Sequence, residues 1–314
     1  MSVALPRLGL GTAPIGGLFE PVSEQTAAAT VERALDRGVR LFDTAPLYGL
    51  GLAERRLGRA LAGRPRDELL VATKVGRLLR MGGPPDEEQS FWRGAPPLNP
   101  VFDFGYDGTL RSVEKSLERL GLDRVDVLHV HDPDDHVEEA LAGAYRALDR
   151  LRAEGAISVV GVGTNAVETA LRFARETDLD CILLAGRYTL LDQSALGELL
   201  PLCLERGIAV ILGGALNSGI LAGGSTFDYR PAPPAWRARA QALAEACARH
   251  DVPLAAAAFQ FPLAHPAVST LLVGARSPAE LDEDLDLLGL PVPQALWTEL
   301  RTGELLPDDA PVPV

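Results

Sequence analysis

Four polar residues of four chemical types each lie at, or just after, the end of a short apolar segment: Asp43, Tyr48, Lys74 and His131. A free tyrosine has a pKa of about 10, so it is a poor acid or base at neutral pH without a positive charge beside it. Lys74 can supply that charge, and Asp43 can hold the ammonium in place through an ion pair. His131 can donate a hydrogen bond to a substrate oxygen. The set favours moving one proton to or from an oxygen, as carbonyl reduction or alcohol oxidation by a hydride-carrying cofactor requires.

The elements that would position these residues alternate along the chain. Short segments rich in β-branched residues predict strands at 8–12, 39–44, 69–74, 125–131, 157–162, 181–184, 208–212 and 270–273. Apolar residues at helical spacing predict helices at 26–37, 53–62, 109–120, 137–154, 167–176, 194–205, 235–249 and 278–288. Because parallel strands need crossover helices, eight such units predict an α/β fold, with one domain over residues 1–314 that forms a (β/α)8 TIM barrel. A doubly wound open sheet is the alternative, but no G-x-G-x-x-G sequence follows an early strand.

Two segments between these elements, 76–108 and 213–234, are too long for simple turns. Both follow a predicted strand, are rich in Gly and Pro, and carry aromatic residues. In a TIM barrel such loops lie at the C-terminal face, where active sites are built. We expect them to form a lid or a pocket wall there, and a surface excursion packed by its own aromatic residues is the alternative.

Composition bounds the class of protein. The chain has 314 residues, a mass of 33.4 kDa and 47% hydrophobic residues, which is typical of a globular protein. A net charge of −13 argues against a nucleic-acid or anionic-membrane partner. The three scattered cysteines do not suggest a disulfide framework, and they favour a reducing compartment. With no basic leader before a long apolar segment, we predict a cytoplasmic protein with a small-molecule substrate, and the sequence leaves the oligomeric state open.

The segment LFDTAPLYGLGLAERRLGRAL at 41–61 resembles the aldo-keto reductase signature, in which F-D-T-A-x-x-Y-G precedes an E-x-x-L-G helix. TKVG at 73–76 resembles the family's lysine strand, and VDVLHVHDP at 125–133 resembles its histidine strand. The order and spacing of all three match, and the likeness extends from about 8 to 288. The resemblance implies that Tyr48 is the general acid in reduction and the general base in oxidation. Lys74 and Asp43 would then adjust its acidity, and His131 would orient the substrate oxygen.

The resemblance also implies a nicotinamide cofactor, NAD or NADP, that extends across the barrel mouth without a Rossmann domain. Thr164 and Asn165 match the Ser-Asn pair that usually binds the carboxamide, whereas Ala185 and Gly213 stand where the family usually has Gln and a stacking Tyr. The other residues expected at the cofactor are Thr12, Gly213, Gly214, Leu216, Asn217, Ser218, Gly219, Leu221, Gly274, Arg276, Glu280 and Asp284. Phosphate-preferring members often place cations at the positions of Gly274 and Glu280, so their absence here favours NAD.

Three further segments indicate a branch of the family. GRYTLLDQ at 186–193, GGALNSGIL at 213–221 and HDPDDH at 131–136 resemble the sugar 1-dehydrogenases, which include L-fucose (D-threo-aldose) dehydrogenases and have pyridoxal 4-dehydrogenase as a relative. The reaction implied is oxidation of an aldopyranose at C1 to the lactone. Phe19, Trp92, Asp132 and Arg187 are the candidate substrate contacts. An NADPH-dependent aldehyde or ketone reductase and a pyridoxal 4-dehydrogenase remain alternatives within the enzyme class.

Two interpretations of another class remain. His129 and His131 alternate on one strand and could form a metal pair, as in a barrel hydrolase. The chain has only five histidines, however, and neither His250 nor His265 lies at a clear strand end, so we predict no metal and a buried His129. A non-enzymatic sensor that binds nicotinamide is the other interpretation, and the intact set of four residues argues against it.

Overall fold

The computed structural model describes residues 5–82 and 91–314. Its strands are β1 (Leu8–Gly11), β2 (Leu41–Asp43), β3 (Leu70–Val75), β4 (Arg77–Met81), β5 (Leu98–Phe102), β6 (Val127–His131), β7 (Val159–Thr164), β8 (Cys181–Ala185), β9 (Ala209–Gly213), β10 (Thr226–Phe227), β11 (Arg230–Pro231) and β12 (Val268–Gly274). Eight of them close into a parallel barrel in the order β1-β2-β3-β6-β7-β8-β9-β12, which returns to β1. The predicted (β/α)8 barrel is therefore confirmed. All eight strands run in one direction, so their carboxyl ends meet at a single mouth.

Helices follow the barrel strands and cover the outside. They are α1 (Glu24–Asp36), α2 (Leu52–Leu61), α3 (Tyr106–Leu120), α4 (Val137–Glu139), α5 (Arg146–Ala153), α6 (Val167–Glu176), α7 (Leu199–Arg206), α8 (Pro234–Arg249), α9 (Leu254–Gln260), α10 (Pro278–Leu288) and α11 (Gln294–Thr302). A local sequence signal starts α1, because the Ser23 hydroxyl accepts a hydrogen bond from the Thr26 backbone at 3.0 Å. None of the helices in the described ranges is both long and apolar enough to cross a membrane.

The structure departs from the sequence prediction in several helices. The helix predicted at 194–205 begins only at Leu199, and a π-helical turn at Ala140–Tyr145 interrupts the one predicted at 137–154. The prediction missed α9 and α11. The α9 sequence, LAAAAFQ, is apolar on nearly every side, so it lacks the alternation of apolar and polar faces on which a periodicity argument depends.

The two long loops contain short hairpins at the mouth. In 76–108, β4 pairs antiparallel with β5, and in 213–234 a helical turn at Asn217–Ala222 precedes the β10-β11 pair. The strand β5 was not predicted from the sequence because it contains Pro100, and proline argues against an internal position in a sheet.

Small and medium apolar side chains fill the inside of the barrel. They come from seven of the eight strands, and they are Leu41, Ala72, Val127, Val159, Cys181, Leu183, Ile211 and Leu272. A larger apolar layer lies between the strands and the helices. The barrel is thus a packed core rather than a pore.

Candidate active site

Asp43, Tyr48 and Lys74 meet through one ammonium group at the barrel mouth. Asp43 ends β2, Lys74 lies on the neighbouring β3, and Tyr48 lies in the loop after β2. The Nζ atom of Lys74 donates hydrogen bonds to Asp43 Oδ2 at 2.7 Å, to the Thr44 carbonyl at 2.9 Å and to Tyr48 Oη at 3.1 Å. The Lys74 and Asp43 side chains are almost completely buried. A buried ion pair therefore holds a positive charge against the phenolic oxygen.

The loop that carries Tyr48 requires glycine beside it. Gly49 has φ +59°, and a Cβ there would lie 2.2 Å from the carbonyl oxygen of Gly16. Only glycine fits this close approach, which explains why it follows the tyrosine. The Tyr48 and His131 rings are nearly perpendicular, with their centroids 5.9 Å apart. The four residues singled out from the sequence thus lie together.

The acidity of Tyr48 differs from the sequence expectation. Lys74 was expected to lower the pKa of the phenol, but burial is the larger effect, and the negative charges of Asp43 and Asp132 act in the same direction. In the structure the pKa of Tyr48 lies well above its usual value. Burial likewise raises the pKa of Asp43, against the opposing charge of Lys74.

His131 lies among cations and is held neutral. Burial and the charges of Arg77 and Lys74 keep the pKa of His131 well below its usual range. A guanidinium hydrogen of Arg77 bonds the backbone carbonyl of His131 at 3.1 Å, and another bonds Asp132 Oδ2 at 3.2 Å. A neutral imidazole still has one N–H group. His131 can therefore donate a hydrogen bond while its ring stays uncharged.

Two connected cavities open beside Tyr48. The first, which we call the His131 cavity, has a volume of about 310 Å³ and is lined by Lys74, Arg77, Trp92, His131 and Asp132 among others. The second, the Gly213 cavity, has a volume of about 390 Å³ and passes from Asp43 along the 213–219 loop to the start of α10. Seven residues line both cavities: Ala13, Leu18, Tyr48, Asn165, Leu183, Ala185 and Tyr229. The Tyr48 phenol therefore lies between the compact His131 cavity and the elongated Gly213 cavity.

Most residues predicted to contact a cofactor line the Gly213 cavity. They are Asn165, Gly213, Gly214, Leu216, Asn217, Ser218, Gly219, Gly274, Arg276, Glu280 and Asp284. Thr12 and Leu221 are placed differently from the prediction: both are buried, and neither lines either cavity. The Thr12 backbone instead bonds the Asp43 carbonyl at 2.9 Å, and Leu221 belongs to the apolar core.

Two predicted contacts use their polar atoms within the protein. The Thr164 hydroxyl donates to Asp134 Oδ1 at 2.9 Å and accepts from the backbone of Ala166, and Thr164 lines the His131 cavity rather than the Gly213 cavity. The Asn217 amide donates to the Gly186 carbonyl at 3.0 Å and accepts from the Thr189 hydroxyl at 2.6 Å. These side chains join neighbouring loops of the mouth.

Other polar groups at the Gly213 cavity lack protein partners and fit a dinucleotide. The Asp43 Oδ1 atom is buried without a hydrogen-bond partner in the described part of the chain, although Asp43 lines the cavity. The Asn165 side-chain amide has no hydrogen bond to any described residue. A buried acceptor and a free amide in an elongated cavity suit a ligand with hydroxyl and carboxamide groups.

The far end of the Gly213 cavity is acidic. Arg276 lies there, but Glu280 accepts from its backbone at 2.8 Å and from its side chain at 3.1 Å, and Glu20 pairs with it at 2.9 Å. Burial and the charges of Glu280 and Glu283 raise the pKa of Asp284 to about 7. Arg276, the one cation among the described residues that lines this end, is therefore already neutralised by carboxylates.

Three of the four predicted substrate contacts line a cavity. Trp92 and Asp132 line the His131 cavity, and Phe19 lines the Gly213 cavity. Arg187 does not line either one. Its guanidinium forms a two-pronged ion pair with Asp228, at 3.0 and 2.7 Å, and bonds the Asn165 carbonyl at 2.7 Å. Arg187 thus connects loops behind the cavity wall.

Two cavity residues, Tyr229 and Arg77, are not among the individual contacts predicted from the sequence, although the loop that carries Tyr229 is expected to form a lid or a pocket wall. Tyr229 lines both cavities, and its ring lies 6.2 Å from the rings of Phe19 and Phe91. Its position in a long aromatic loop was the available signal. Arg77, which lines the His131 cavity, could have been found from its place directly beyond the lysine strand.

His129 has the surroundings of a core residue. It is fully buried on β6, its Nδ1 lies 4.0 Å from Cys181 Sγ, and burial lowers the pKa of His129 to about 3. Within residues 5–82 and 91–314, no three His, Cys, Asp or Glu side chains are grouped so that they could hold a metal ion.

Comparison with known proteins agrees with this geometry. The model of the aldo/keto reductase family matches residues 7–302. A D-threo-aldose 1-dehydrogenase from a Pseudomonas species is 42% identical, over 97% of this chain and 96% of its own. A pyridoxal 4-dehydrogenase from Microbacterium luteolum is 44% identical, over 97% and 95%. The solved holo form of an aldo-keto reductase from Bacillus halodurans has a TM-score of 0.75 and 25% identity, covering 100% of this chain and 97% of that one. The resemblance seen at 41–61 is confirmed: this chain belongs to the aldo/keto reductase family and is an oxidoreductase.

Proposed function

We propose that this protein is an NAD-dependent dehydrogenase that oxidises an aldose at C1 to the lactone, within a single domain spanning residues 1–314. The observation that carries the proposal is the Lys74–Tyr48 hydrogen bond of 3.1 Å at the junction of the two cavities. This hydrogen bond prepares Tyr48 Oη to exchange one proton. The oxygen lies between the His131 cavity, which would hold a small substrate, and the Gly213 cavity, which would hold a dinucleotide. We further propose a cytoplasmic location, for which the three free, buried cysteines are the support.

Each of the four central residues has a separate role in this proposal. Tyr48 Oη accepts the proton from the hydroxyl on the hemiacetal carbon. Lys74 stabilises the phenolate that does so, and Asp43 holds the Lys74 side chain in place. Neutral His131 donates a hydrogen bond to the reacting oxygen and fixes its position.

Members of the aldo/keto reductase family use NAD or NADP, which when bound would supply the hydride acceptor for an oxidation. We propose that the Gly213 cavity holds this cofactor, with Asn165 and Asp43 Oδ1 as polar contacts. We also propose a preference for NAD. Glu280 and Glu20 already neutralise Arg276, so a 2′-phosphate would meet carboxylates without a free cation to bind it.

The named relatives act on substrates that share a ring hemiacetal, because both an aldopyranose and pyridoxal form one in water. The aldose interpretation is supported by polar groups on the His131 cavity wall, Arg77 and Asp132 among them. Pyridoxal is the second candidate, since Trp92 and Tyr229 could stack on a planar ring. Reduction of simple aldehydes by NADPH is less favoured, because such substrates have no hydroxyl that could donate a hydrogen bond to the Asp132 carboxylate on this wall.

The experiment follows reduced-nicotinamide absorbance with NAD or NADP across L-fucose, D-arabinose, L-galactose, L-glucose and pyridoxal, with Tyr48→Phe as the control. Turnover of a sugar that falls by about 100-fold or more in Tyr48→Phe supports the proposal. Turnover of pyridoxal alone selects the second candidate, and turnover of simple aldehydes alone, tested with NADPH, selects the reductase. If none of these compounds is turned over although the cofactor binds, a non-enzymatic sensor replaces the enzyme.

A further inference from the structure

Asp132 has an unusual backbone directly after His131. Its φ is +42°, in the left-handed region that disfavours most residues other than glycine, asparagine and aspartate. The backbone N–H of Asp132 donates to the Gly163 carbonyl at 2.8 Å, which holds this conformation against the next strand. As a result the Asp132 side chain lines the His131 cavity instead of continuing the line of β6. Strained backbone at such a place points to a role for the side chain.

One carboxylate oxygen of Asp132 is occupied and the other is free. The Oδ2 atom lies 3.2 Å from Arg77 Nη2 and 3.3 Å from His131 Nε2. Among the described residues, no donor reaches Oδ1. Arg77 therefore orients the carboxylate, and one oxygen is left for a ligand. Because an ionised carboxylate only accepts hydrogen bonds, the ligand atom that meets it must be a donor.

We propose that Asp132 binds the hydroxyl on the carbon next to the reacting carbon, so that the substrate class is a neutral hemiacetal with an adjacent hydroxyl. The inference rests on the proposed function, in which His131 Nε2 donates to the reacting oxygen. Hydroxyls on neighbouring carbons lie about one hydrogen-bond length apart, and Asp132 Oδ2 lies 3.3 Å from Nε2. A substrate bound to His131 thus brings its adjacent hydroxyl to the Asp132 carboxylate.

The surrounding charges support a neutral substrate. Asp134 and Asp135 line the same cavity as Asp132. In the described part of the chain, the cations on this wall are Arg77 and Lys74, and each is already paired with a carboxylate. A phosphate or carboxylate group on the substrate would therefore face negative charge without a free cation to bind it.

The test compares two substrates and two enzymes. D-arabinose and 2-deoxy-D-ribose differ only in the 2-hydroxyl, and Asp132→Asn removes the charge while it keeps a residue that tolerates positive φ. We expect the kcat/KM of the variant to fall about tenfold for D-arabinose and to change less than about threefold for the deoxy sugar. The 2-hydroxyl also changes the intrinsic rate of hydride transfer, but it does so equally in both enzymes. Comparing the two sugars in both enzymes therefore cancels that effect.

Asp135→Asn is the matched control, because it removes one negative charge from the same cavity at a side chain without a bond to His131. In Asp135→Asn the ratio of kcat/KM for D-arabinose to kcat/KM for 2-deoxy-D-ribose should equal that of the wild type. An equal loss on both sugars in Asp132→Asn would overturn the inference and assign Asp132 to the positioning of His131. Failure of the wild type to oxidise any sugar would instead overturn the proposed function. Calorimetry with the NADH-loaded enzyme then tests recognition without turnover, and equal affinities for the two sugars would overturn it.

Discussion

Lys74 Nζ lies 3.1 Å from Tyr48 Oη, and the other two hydrogens of the ammonium bond Asp43 Oδ2 and the Thr44 carbonyl. An ammonium has three donors, so all of them are used, and the phenolic oxygen can only accept from Lys74. The hydrogen of the Tyr48 hydroxyl must then point elsewhere. Tyr48 lines both cavities, and that hydrogen is available to a ligand at their junction.

The raised pKa of Tyr48 predicts how activity depends on pH. At neutral pH the phenol keeps its proton, because burial and the charges of Asp43 and Asp132 disfavour the phenolate. Oxidation needs the phenolate, so kcat/KM for the sugar should rise about tenfold per pH unit from neutral to alkaline pH. Reduction of the lactone or of an aldehyde needs the phenol and should not rise. The measurement is kcat/KM in both directions between about pH 6 and pH 10, and an oxidation profile that stays flat over this range would contradict the assignment.

Removal of the Lys74 ammonium should lower stability as well as activity. Lys74→Met leaves the Asp43 carboxylate buried without a counter-ion, and loss of one partner of a buried pair costs about 3–5 kcal/mol in the free energy of unfolding. Urea unfolding measures this change. Asp43→Leu combined with Lys74→Met should recover much of the loss, since no buried charge remains.

Lys115 offers a matched control for that experiment. It is the other lysine of the chain, it pairs with Glu118 on the surface of α3, and Lys115→Met should leave unfolding nearly unchanged. An equal effect of the two lysine substitutions would mean that the Asp43–Lys74 pair does not contribute to stability as proposed.

The barrel and the four central residues could be predicted because they depend on local order. Strands and helices alternate in the sequence, and Asp43, Lys74 and His131 lie within or at the end of strands that the barrel brings together. The position of a residue at a strand end is preserved when the strands pair in parallel. The prediction therefore needed no knowledge of side-chain contacts.

The contacts between loops could not be predicted in this way. Arg187 pairs with Asp228, which is 41 residues away in the sequence. The backbone of Asp228 has a positive φ of +47°. The Asn217 amide turns inward to Gly186 from φ +45°. Aspartate and asparagine tolerate positive φ, but most of them do not adopt it, so the direction of these side chains appears only in the folded chain.

Glu280 should control the choice between NAD and NADP. Glu280→Gln removes a negative charge, and the Arg276 guanidinium loses one of its two carboxylate partners while Glu20 remains. The Nε and Nη2 hydrogens released from Glu280 can then bind a phosphate with two parallel hydrogen bonds, so kcat/KM with NADP relative to NAD should rise about tenfold. Glu283→Gln, on the same helix but away from the cavity lining, is the matched control and should keep the wild-type ratio. An unchanged ratio in Glu280→Gln would mean that this end of the cavity does not contact the 2′ position.

Asp284 should make the free enzyme less stable as pH rises. Burial and the charges of Glu280 and Glu283 raise its pKa to about 7 in the folded chain, whereas an aspartate in the unfolded chain has a pKa of about 3.9. Between these two values the unfolded chain has lost its proton and the folded chain still holds it. The free energy of unfolding therefore falls with pH through this window and levels off above about pH 7.

Asp284→Asn removes the effect, so the variant should be more stable than the wild type at about pH 8, and the difference should shrink towards pH 4. Urea unfolding without cofactor at both pH values measures it, and a difference independent of pH would show that this carboxyl does not titrate in the window.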